Sequence, residues 1–184
     1  PLTELGIEQA KNLGAVMKHL DIMPDVIHHS FMVRAKDTAT YVNDSMGLDM
    51  HEWHDLREHD LGDWEGRPWQ EICNDIEGHV PPPNGETHQQ FAQRIQSMFT
   101  DILTLEDNKG RLPLIVCHGG VYHALGTLYE YGISSIQNCH LHYYEPAPEY
   151  NEFPWRVSIF DIDNGNLVKQ PAEFCLSRAL SKIA

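Results

Sequence analysis

The sequence is poor in basic residues. Only 13 lysines and arginines stand against 27 aspartates and glutamates in 184 residues, so the formal net charge is −14 at pH 7. This charge would repel nucleic acids and anionic membranes at long range, and we expect neither as a partner. A small anionic substrate remains compatible with the charge, because a few local cations suffice to hold it.

The sequence also lacks paired cysteines and long apolar runs. Its four cysteines, Cys73, Cys117, Cys139 and Cys175, are far apart and form no CxxC pair. Such spacing is typical neither of a zinc ribbon nor of a disulfide framework, which favours a reducing compartment and a cytoplasmic location. The longest apolar run, 112–117, contains a proline and is far shorter than the about 20 residues of a membrane span.

What is present is typical of a folded α/β protein. Hydrophobic residues make up 41% of the chain and charged residues 22%, and the length predicts one globular domain over residues 1–184. The spacing of apolar residues predicts helices near 3–20, 33–47, 69–76, 87–105 and 121–131. Strands are predicted at 26–30, 112–117, 140–144 and 155–161, with a hairpin turn at 163–165 and irregular chain over 52–66. This alternation predicts a three-layer α/β fold with a mainly parallel sheet flanked by helices.

The first candidate functional segment joins a buried strand to a helix through Cys117-His118-Gly119-Gly120. In open α/β sheets, ligands bind beyond the carboxyl ends of the strands, where helix N-termini present free N–H groups. Glycines at this junction would let an anion approach the backbone closely. His118 is therefore a candidate ligand-binding residue, although a histidine that only caps the helix would give the same pattern.

The second candidate segment has the same plan, with Ser30 at the end of a strand and Arg34 in the first turn of a helix. A cation at that position is unfavourable for the helix macrodipole, which prefers anions at the N-terminus. An anionic ligand between the dipole and the guanidinium would explain the arginine, since arginine binds phosphate in planar, bidentate geometry. The alternative is a solvated arginine without a function.

The third candidate segment, 56–66, concentrates titratable groups around Trp64. A carboxyl group held beside a large aromatic or near other carboxylates has a raised pKa and can donate a proton. A structural Ω-loop anchored by Trp64 is the alternative interpretation.

Together these segments resemble the histidine phosphatase superfamily, which has the phosphoglycerate-mutase-like fold. The matching motifs follow the family order and cover about residues 1–125: Leu2-Thr3-Glu4-Leu5-Gly6, Ser30-x-x-x-Arg34-Ala35, Glu58-x-x-x-Gly62-x-Trp64-Glu65-Gly66, Pro83-Asn84-Gly85-Glu86-Thr87 and Cys117-His118-Gly119-Gly120. The resemblance implies a phosphomonoester hydrolase that acts on a small phosphorylated metabolite, and in which a histidine attacks phosphorus and is transiently phosphorylated.

The resemblance also implies roles for individual residues. Arg34 would bind phosphate oxygens, with Ser30 and Gly119 as further substrate-binding residues. His118 would donate to the phosphoryl group, and Glu58 would protonate the leaving alcohol and then activate water. These groups supply the positive charge and the proton that phosphoryl transfer requires, so no metal or other cofactor is implied.

One part of the family pattern is not found. The family's nucleophile lies in an Arg-His-Gly motif at the end of its first strand, upstream of the Leu-Thr-x-x-Gly helix, and none of the 12 histidines here stands in that context. We expect a preceding segment of about 20–40 residues that supplies this histidine and an inner strand of the sheet. Residues 1–184 alone are expected to bind phosphate weakly and to form no phosphohistidine.

Other interpretations remain open from the sequence. A phosphoglycerate mutase is one alternative, although 62–66 resembles the phosphatase branch, and a catalytically inactive phosphate-binding or interaction protein is another. His140 and His142 would share one face of a strand, but no cysteine or carboxylate stands at zinc spacing, so surface histidines are favoured over a metal site. The aromatic-rich stretch 143–155 could fill a core, cover the substrate or form a homodimer contact.

Overall fold

The computed structural model describes residues 1–129, 136–147, 155–163 and 166–171. The helices are α1 Glu4–Met17, α2 Val33–Asn43, α3 Trp69–Glu77, α4 His88–Asp107 and α5 Gly119–Tyr129. The strands are β1 Val26–Ser30, β2 Asp49–Trp53, β3 Pro113–Val116, β4 Leu141–Pro146, β5 Trp155–Asp163 and β6 Asn166–Pro171. None of these helices is long and apolar enough to cross a membrane.

A parallel three-stranded sheet, ordered β2-β1-β3, forms the middle layer of the fold. Neighbouring residues of β3 point to opposite faces of this sheet. Leu114 packs with Met17 of α1 and Val42 of α2, whereas Ile115 packs with Ile102 of α4. Helices therefore cover both faces, which confirms the α/β class.

Helices α1 and α2 pack unusually closely on one face of the sheet. A Cβ atom added at Gly14 would lie 2.3 Å from the carbonyl oxygen of Val42, so only glycine permits this approach. Ser45 reinforces the contact by donating a hydrogen bond from Oγ to the Gly14 carbonyl at 2.6 Å. Gly14, which lowers the helix propensity of α1, is therefore required for the close packing of α1 against α2.

A second three-stranded sheet, ordered β4-β5-β6, is antiparallel. Asp163 pairs with Asn166 across the predicted hairpin turn, whose residues 164–165 lie outside the described chain. Tyr144, Trp155 and Val157 pack in one cluster with Tyr122 of α5. The described part of the aromatic stretch thus fills a core against α5, while Tyr150 and Phe153 lie outside the described residues.

The sequence patterns located most elements but missed strand β2. Three of its five residues are exposed and two half-buried, without strict alternation, so the sequence shows no strand pattern and backbone pairing with β1 defines the strand. Helix α2 ends at Asn43 rather than near Gly47. The Asn43 side chain causes this end, because it accepts from the N–H and donates to the carbonyl of Leu48 and so closes a turn.

A buried ion pair ties the end of α4 to the parallel sheet. Glu106 is fully buried and accepts hydrogen bonds from Arg111 Nε at 2.5 Å and from His28 Nε2 at 3.2 Å. Trp53 Nε1 donates to His28 Nδ1 at 2.7 Å, so the ring proton of neutral His28 is on Nε2. The hydrogen bond from Arg111 lowers the pKa of Glu106 to about 2, and burial lowers the pKa of His28.

We predict that Glu106→Ala lowers the free energy of unfolding by about 2–3 kcal/mol at pH 7, because it leaves the buried His28 ring without its acceptor. Both pKa values are lowered by folding, so both groups contribute stability that is lost in acid. The His28 contribution declines below pH 6.5, and the Glu106 contribution declines from pH 4.5 toward about 2.

Urea unfolding of the wild-type protein and of Glu106→Gln, measured between pH 7 and pH 3, tests this dependence. The stability difference between the two proteins should shrink below pH 4.5 as the wild-type carboxylate is protonated. A difference that stays constant over this range would show that the ion pair does not set the acid sensitivity.

Candidate active site

The candidate site lies where the two neighbouring strands β1 and β3 end. Ser30 is the last residue of β1 and is fully buried, and His118 follows β3. Because the strands are parallel and adjacent, both residues reach the same edge of the sheet. His118 Nε2 lies 2.9 Å from Ser30 Oγ, within hydrogen-bond distance. Two residues identified from separate motifs, 88 positions apart, are thus in direct contact.

The electrostatic environment of His118 is positive. Burial is the main cause that lowers its pKa to about 4, and the charges of Arg34 and Arg94 lower it further. The ring is therefore neutral at pH 7 in the free protein. An anion bound between His118 and Arg34 would offset the repulsion from the guanidinium and favour the protonated ring.

Arg34 is exposed in the first turn of α2, as its position in the sequence predicts. Lys36 follows Arg34 in the same helix, but its Nζ lies 2.9 Å from Glu52 Oε2, so its charge is already compensated and Arg34 is the cation that faces an anion at this end of α2. A cavity of about 540 Å³ opens beside the guanidinium and is also lined by Pro1, Phe31, Met32 and Val33. This arrangement can hold an anion, with an apolar surface on one side of it.

Glu58 points at the N-terminus of α5. Its Oε1 accepts a hydrogen bond from the backbone N–H of His59 at 3.0 Å, and its Oε2 accepts from the backbone N–H of Gly120 at 3.4 Å. A Cβ at Gly120 would lie 2.1 Å from Oε1, so glycine makes room for the carboxylate. Around the position where a Gly119 Cβ would stand, no heavy atom of the described residues lies within 4 Å.

Gly119 and Gly120 therefore have different roles. From the sequence, both were expected to let an anion approach the backbone. Gly120 accommodates a carboxylate of the protein itself. Gly119 alone leaves the backbone at the start of α5 open to a ligand.

Arg94 fixes the backbone of the Glu58 segment, and sequence reasoning did not identify it. Its guanidinium donates to the carbonyl oxygens of Asp55, Arg57 and Glu58 at 2.8, 3.1 and 3.2 Å. It also donates to both carboxylate oxygens of Glu86, at 2.7 and 2.5 Å. This interaction lowers the pKa of Glu86, although burial opposes it. A helical arginine 36 residues from Glu58 carries no local signal for this role.

Glycines bring the segment 57–66 against the loop 81–87. Gly62 has φ +52°, and a Cβ there would lie 2.2 Å from the Pro83 carbonyl oxygen. Likewise, a Cβ at Gly85 would lie 2.5 Å from the Asp60 carbonyl oxygen. Both motifs thus contain glycine because two backbones are in contact. Trp64 is buried, as expected for a side chain that anchors this segment.

The structure also defines the surroundings of Cys117 and of the pair His140 and His142. Burial raises the pKa of Cys117 to about 12, so this thiol stays protonated and is a poor nucleophile. The rings of His140 and His142 lie 4.8 Å apart, and His142 Nδ1 is hydrogen-bonded to the hydroxyl of Tyr122. No group of three or more metal-ligating side chains is found in the described part of the chain.

Comparison with known proteins extends these observations. Residues 1–147 match the model of the histidine phosphatase superfamily, branch 1. The chain is 32% identical over 165 residues to the uncharacterized phosphatase PhoE of Bacillus subtilis, covering 89% of this chain and 83% of that protein. It is also 32% identical over 136 residues to the adenosylcobalamin/α-ribazole phosphatase of Salmonella typhimurium, covering 68% of this chain and 65% of that protein.

Solved structures give the same result. The chain superimposes on mycobacterial glucosyl-3-phosphoglycerate phosphatase with a TM-score of 0.66 and 25% identity, over 86% of this chain and 85% of that one. It superimposes on YhfR of Bacillus stearothermophilus with a TM-score of 0.65 and 25% identity, over 93% of this chain and 83% of that one. The family resemblance inferred from the motifs is confirmed: the chain belongs to branch 1 of the histidine phosphatase superfamily.

Proposed function

We propose that this protein hydrolyses a small phosphorylated metabolite through a phosphohistidine intermediate, without a metal ion. The observation that carries the proposal is the position of the Glu58 carboxylate. It lies against the Gly120 N–H, two residues after the histidine that contacts Ser30. A carboxyl group is thereby available beside a site for a phosphoryl anion, which is the arrangement that protonation of a leaving alcohol requires.

The phosphoryl group occupies the space between Arg34, His118 and the open start of α5. Arg34 binds the phosphoryl oxygens as a planar cation, and Ser30 and Gly119 bind through a hydroxyl and a backbone N–H. His118 donates a hydrogen bond to the phosphoryl group. As negative charge spreads over the equatorial oxygens during transfer, these donors stabilise it from fixed positions.

Hydrolysis takes place in two steps. In the first, a histidine nitrogen attacks phosphorus, the P–O bond to the alcohol breaks, and Glu58 gives its proton to the leaving oxygen. In the second, Glu58 removes a proton from water, the water oxygen bonds to phosphorus, and the histidine leaves. None of the 12 histidines in residues 1–184 stands in the family's Arg-His-Gly context, so we assign the attack to a histidine outside these residues.

We expect Arg34→Ala and His118→Ala each to lower kcat/KM of the full-length enzyme by about 10²–10³-fold, as is typical when a preorganised donor is lost. Arg34→Lys should recover part of the loss, because it restores the charge without the bidentate geometry. Steady-state kinetics with an aryl phosphate measures these effects. Losses below threefold in both alanine variants would contradict the assigned binding roles.

We expect the effect of Glu58→Gln to depend on the leaving group. An alkyl phosphate releases a basic alkoxide that needs protonation, whereas an activated aryl phosphate releases a stable phenolate. The loss of kcat/KM should therefore be large for alkyl phosphates and small for p-nitrophenyl phosphate. Equal losses for both substrates would remove Glu58 from the role of general acid.

A further inference from the structure

Helix α4 faces the Glu58 segment with two neighbouring side chains, Phe91 and Arg94, and the mechanism above uses neither of them. They are three residues apart and therefore lie on one face of the helix. The Arg94 guanidinium lies over the Phe91 ring, 5.0 Å from its centroid. Phe91 is buried and only 12% of the Arg94 side chain is exposed, so both groups belong to the interior behind Glu58.

Arg94 is saturated with hydrogen-bond acceptors of the protein itself. Its Nη1 donates to the carbonyl oxygens of Asp55 and Arg57. Its Nη2 donates to the Glu58 carbonyl and to Oε2 of Glu86, and its Nε donates to Oε1 of Glu86. A guanidinium has five N–H donors, and these five acceptors engage all of them. Unlike the arginine at the start of α2, Arg94 therefore has no donor left for a phosphoryl oxygen.

Glu86 extends the same network to the other side of Glu58. Its Oε2 accepts from the backbone N–H of Asp60 at 3.2 Å, and its own backbone N–H donates to the Asp60 carbonyl at 2.9 Å. Its carbonyl oxygen accepts from His59 Nε2 at 2.7 Å. Arg94 thus holds the chain up to Glu58, and Glu86 holds the two residues that follow it.

Phe91 acts on the groups that bind the Glu58 carboxylate. The backbone N–H groups of His59 and Gly120 donate to this carboxylate. The ring of His59 is stacked on Phe91 with centroids 4.8 Å apart, and Phe91 Cε1 lies 3.4 Å from the Cβ position of Gly120. The same face of α4 therefore fixes both the backbone of Glu58 and the donors to its side chain.

We propose that Arg94, with Glu86 as its counter-charge, is the positioning residue of Glu58, and that it sets the distance from the carboxyl group to the leaving-group oxygen. This inference rests on the proposed function, in which Glu58 is the general acid. A proton donor must lie about 2.6–3.2 Å from the atom that it protonates, and a displacement of about 1 Å costs about 10²-fold in rate. The phosphoryl site takes its position from β1 and β3, so loss of the Arg94 contacts affects proton transfer and leaves phosphoryl binding in place.

Arg94→Lys is the variant that tests this role. Lysine keeps the positive charge that acts on Glu86 and on His118, but an ammonium group cannot replace the five hydrogen bonds of the planar fork. In the full-length enzyme, kcat/KM for an alkyl phosphate should fall by about 10²-fold, and kcat/KM for p-nitrophenyl phosphate by less than about threefold. A residue that only stabilises the fold would lower both values alike, so equal losses would overturn the proposal.

Arg67→Gln is the matched control. Arg67 also binds a glutamate, Glu71, but this pair is exposed on the surface near the start of α3 and makes no contact with the Glu58 backbone. The variant should hydrolyse both esters at the wild-type rate.

A double-mutant cycle shows whether Arg94 acts through Glu58. With an alkyl phosphate as substrate, Glu58→Gln alone already removes the proton donor that Arg94 positions. Adding Arg94→Lys to Glu58→Gln should therefore change kcat/KM by less than about twofold. If the two losses multiply, Arg94 acts on another group, such as His118, and the positioning role is wrong while the proposed phosphatase function stands.

Hydrogen exchange tests the same role independently of turnover, including the case in which no ester is hydrolysed and the proposed function fails. In Arg94→Lys, the amide protons of His59 and Gly120 should exchange at least about tenfold faster than in the wild-type protein, because the carboxylate that binds them is no longer held. The amide proton of Ile27, buried in β1, should exchange at the wild-type rate. Unchanged exchange at both His59 and Gly120 would overturn the positioning role.

Discussion

The parallel pairing of β1 with β3 is the constraint on which the site depends. It aligns two strands that are more than 80 residues apart in sequence and brings Ser30 and His118 to one edge of the sheet. The helices that follow, α2 and α5, then both begin at this edge and direct their N-terminal N–H groups toward it. Every group that binds the phosphoryl anion in the proposed mechanism takes its position from this register.

Glu58, the proposed proton donor, is positioned by a side-chain network instead. Glu58 lies in a segment without a strand or a long helix, and Arg94 supplies the rigidity by binding three of its backbone carbonyls. Glu86 compensates the charge of that arginine in a half-buried environment. The proposed anion site is thus fixed by backbone pairing, and the proposed general acid by one side-chain network. His59 adjoins this network, because its Nε2 donates to the Glu86 carbonyl.

Much of this arrangement could be predicted from local sequence. The helices have apolar residues at regular spacing, β3 is a continuous apolar run, and Ser30 and His118 stand at or just after the ends of β1 and β3. Strand β2 could not be predicted, because an exposed edge strand is defined by its partner rather than by its own pattern. The role of Arg94 was also beyond local reasoning, since its contacts are made with residues 36–39 positions away.

The different roles of Gly119 and Gly120 also could not be predicted from the sequence. The sequence predicts that Gly119 and Gly120 permit a close approach, but only the structure shows that the Glu58 carboxylate, and not a ligand, lies next to Gly120. Similarly, the sequence does not indicate that the rings of His59, His79 and His88 are in contact, and only the fold brings them together. Contacts between distant segments, rather than element types, are the information that sequence patterns lack.

In the proposed mechanism, His118 binds and stabilises the phosphoryl group and another histidine attacks it. The most direct measurement is rapid acid-free quenching of the full-length enzyme during turnover of an aryl phosphate, followed by mass-spectrometric location of the phosphoryl group. We expect an acid-labile phosphohistidine outside residues 1–184, with none of the 12 histidines in these residues modified. Phosphorylation of His118, or of any other histidine among the twelve, would contradict it.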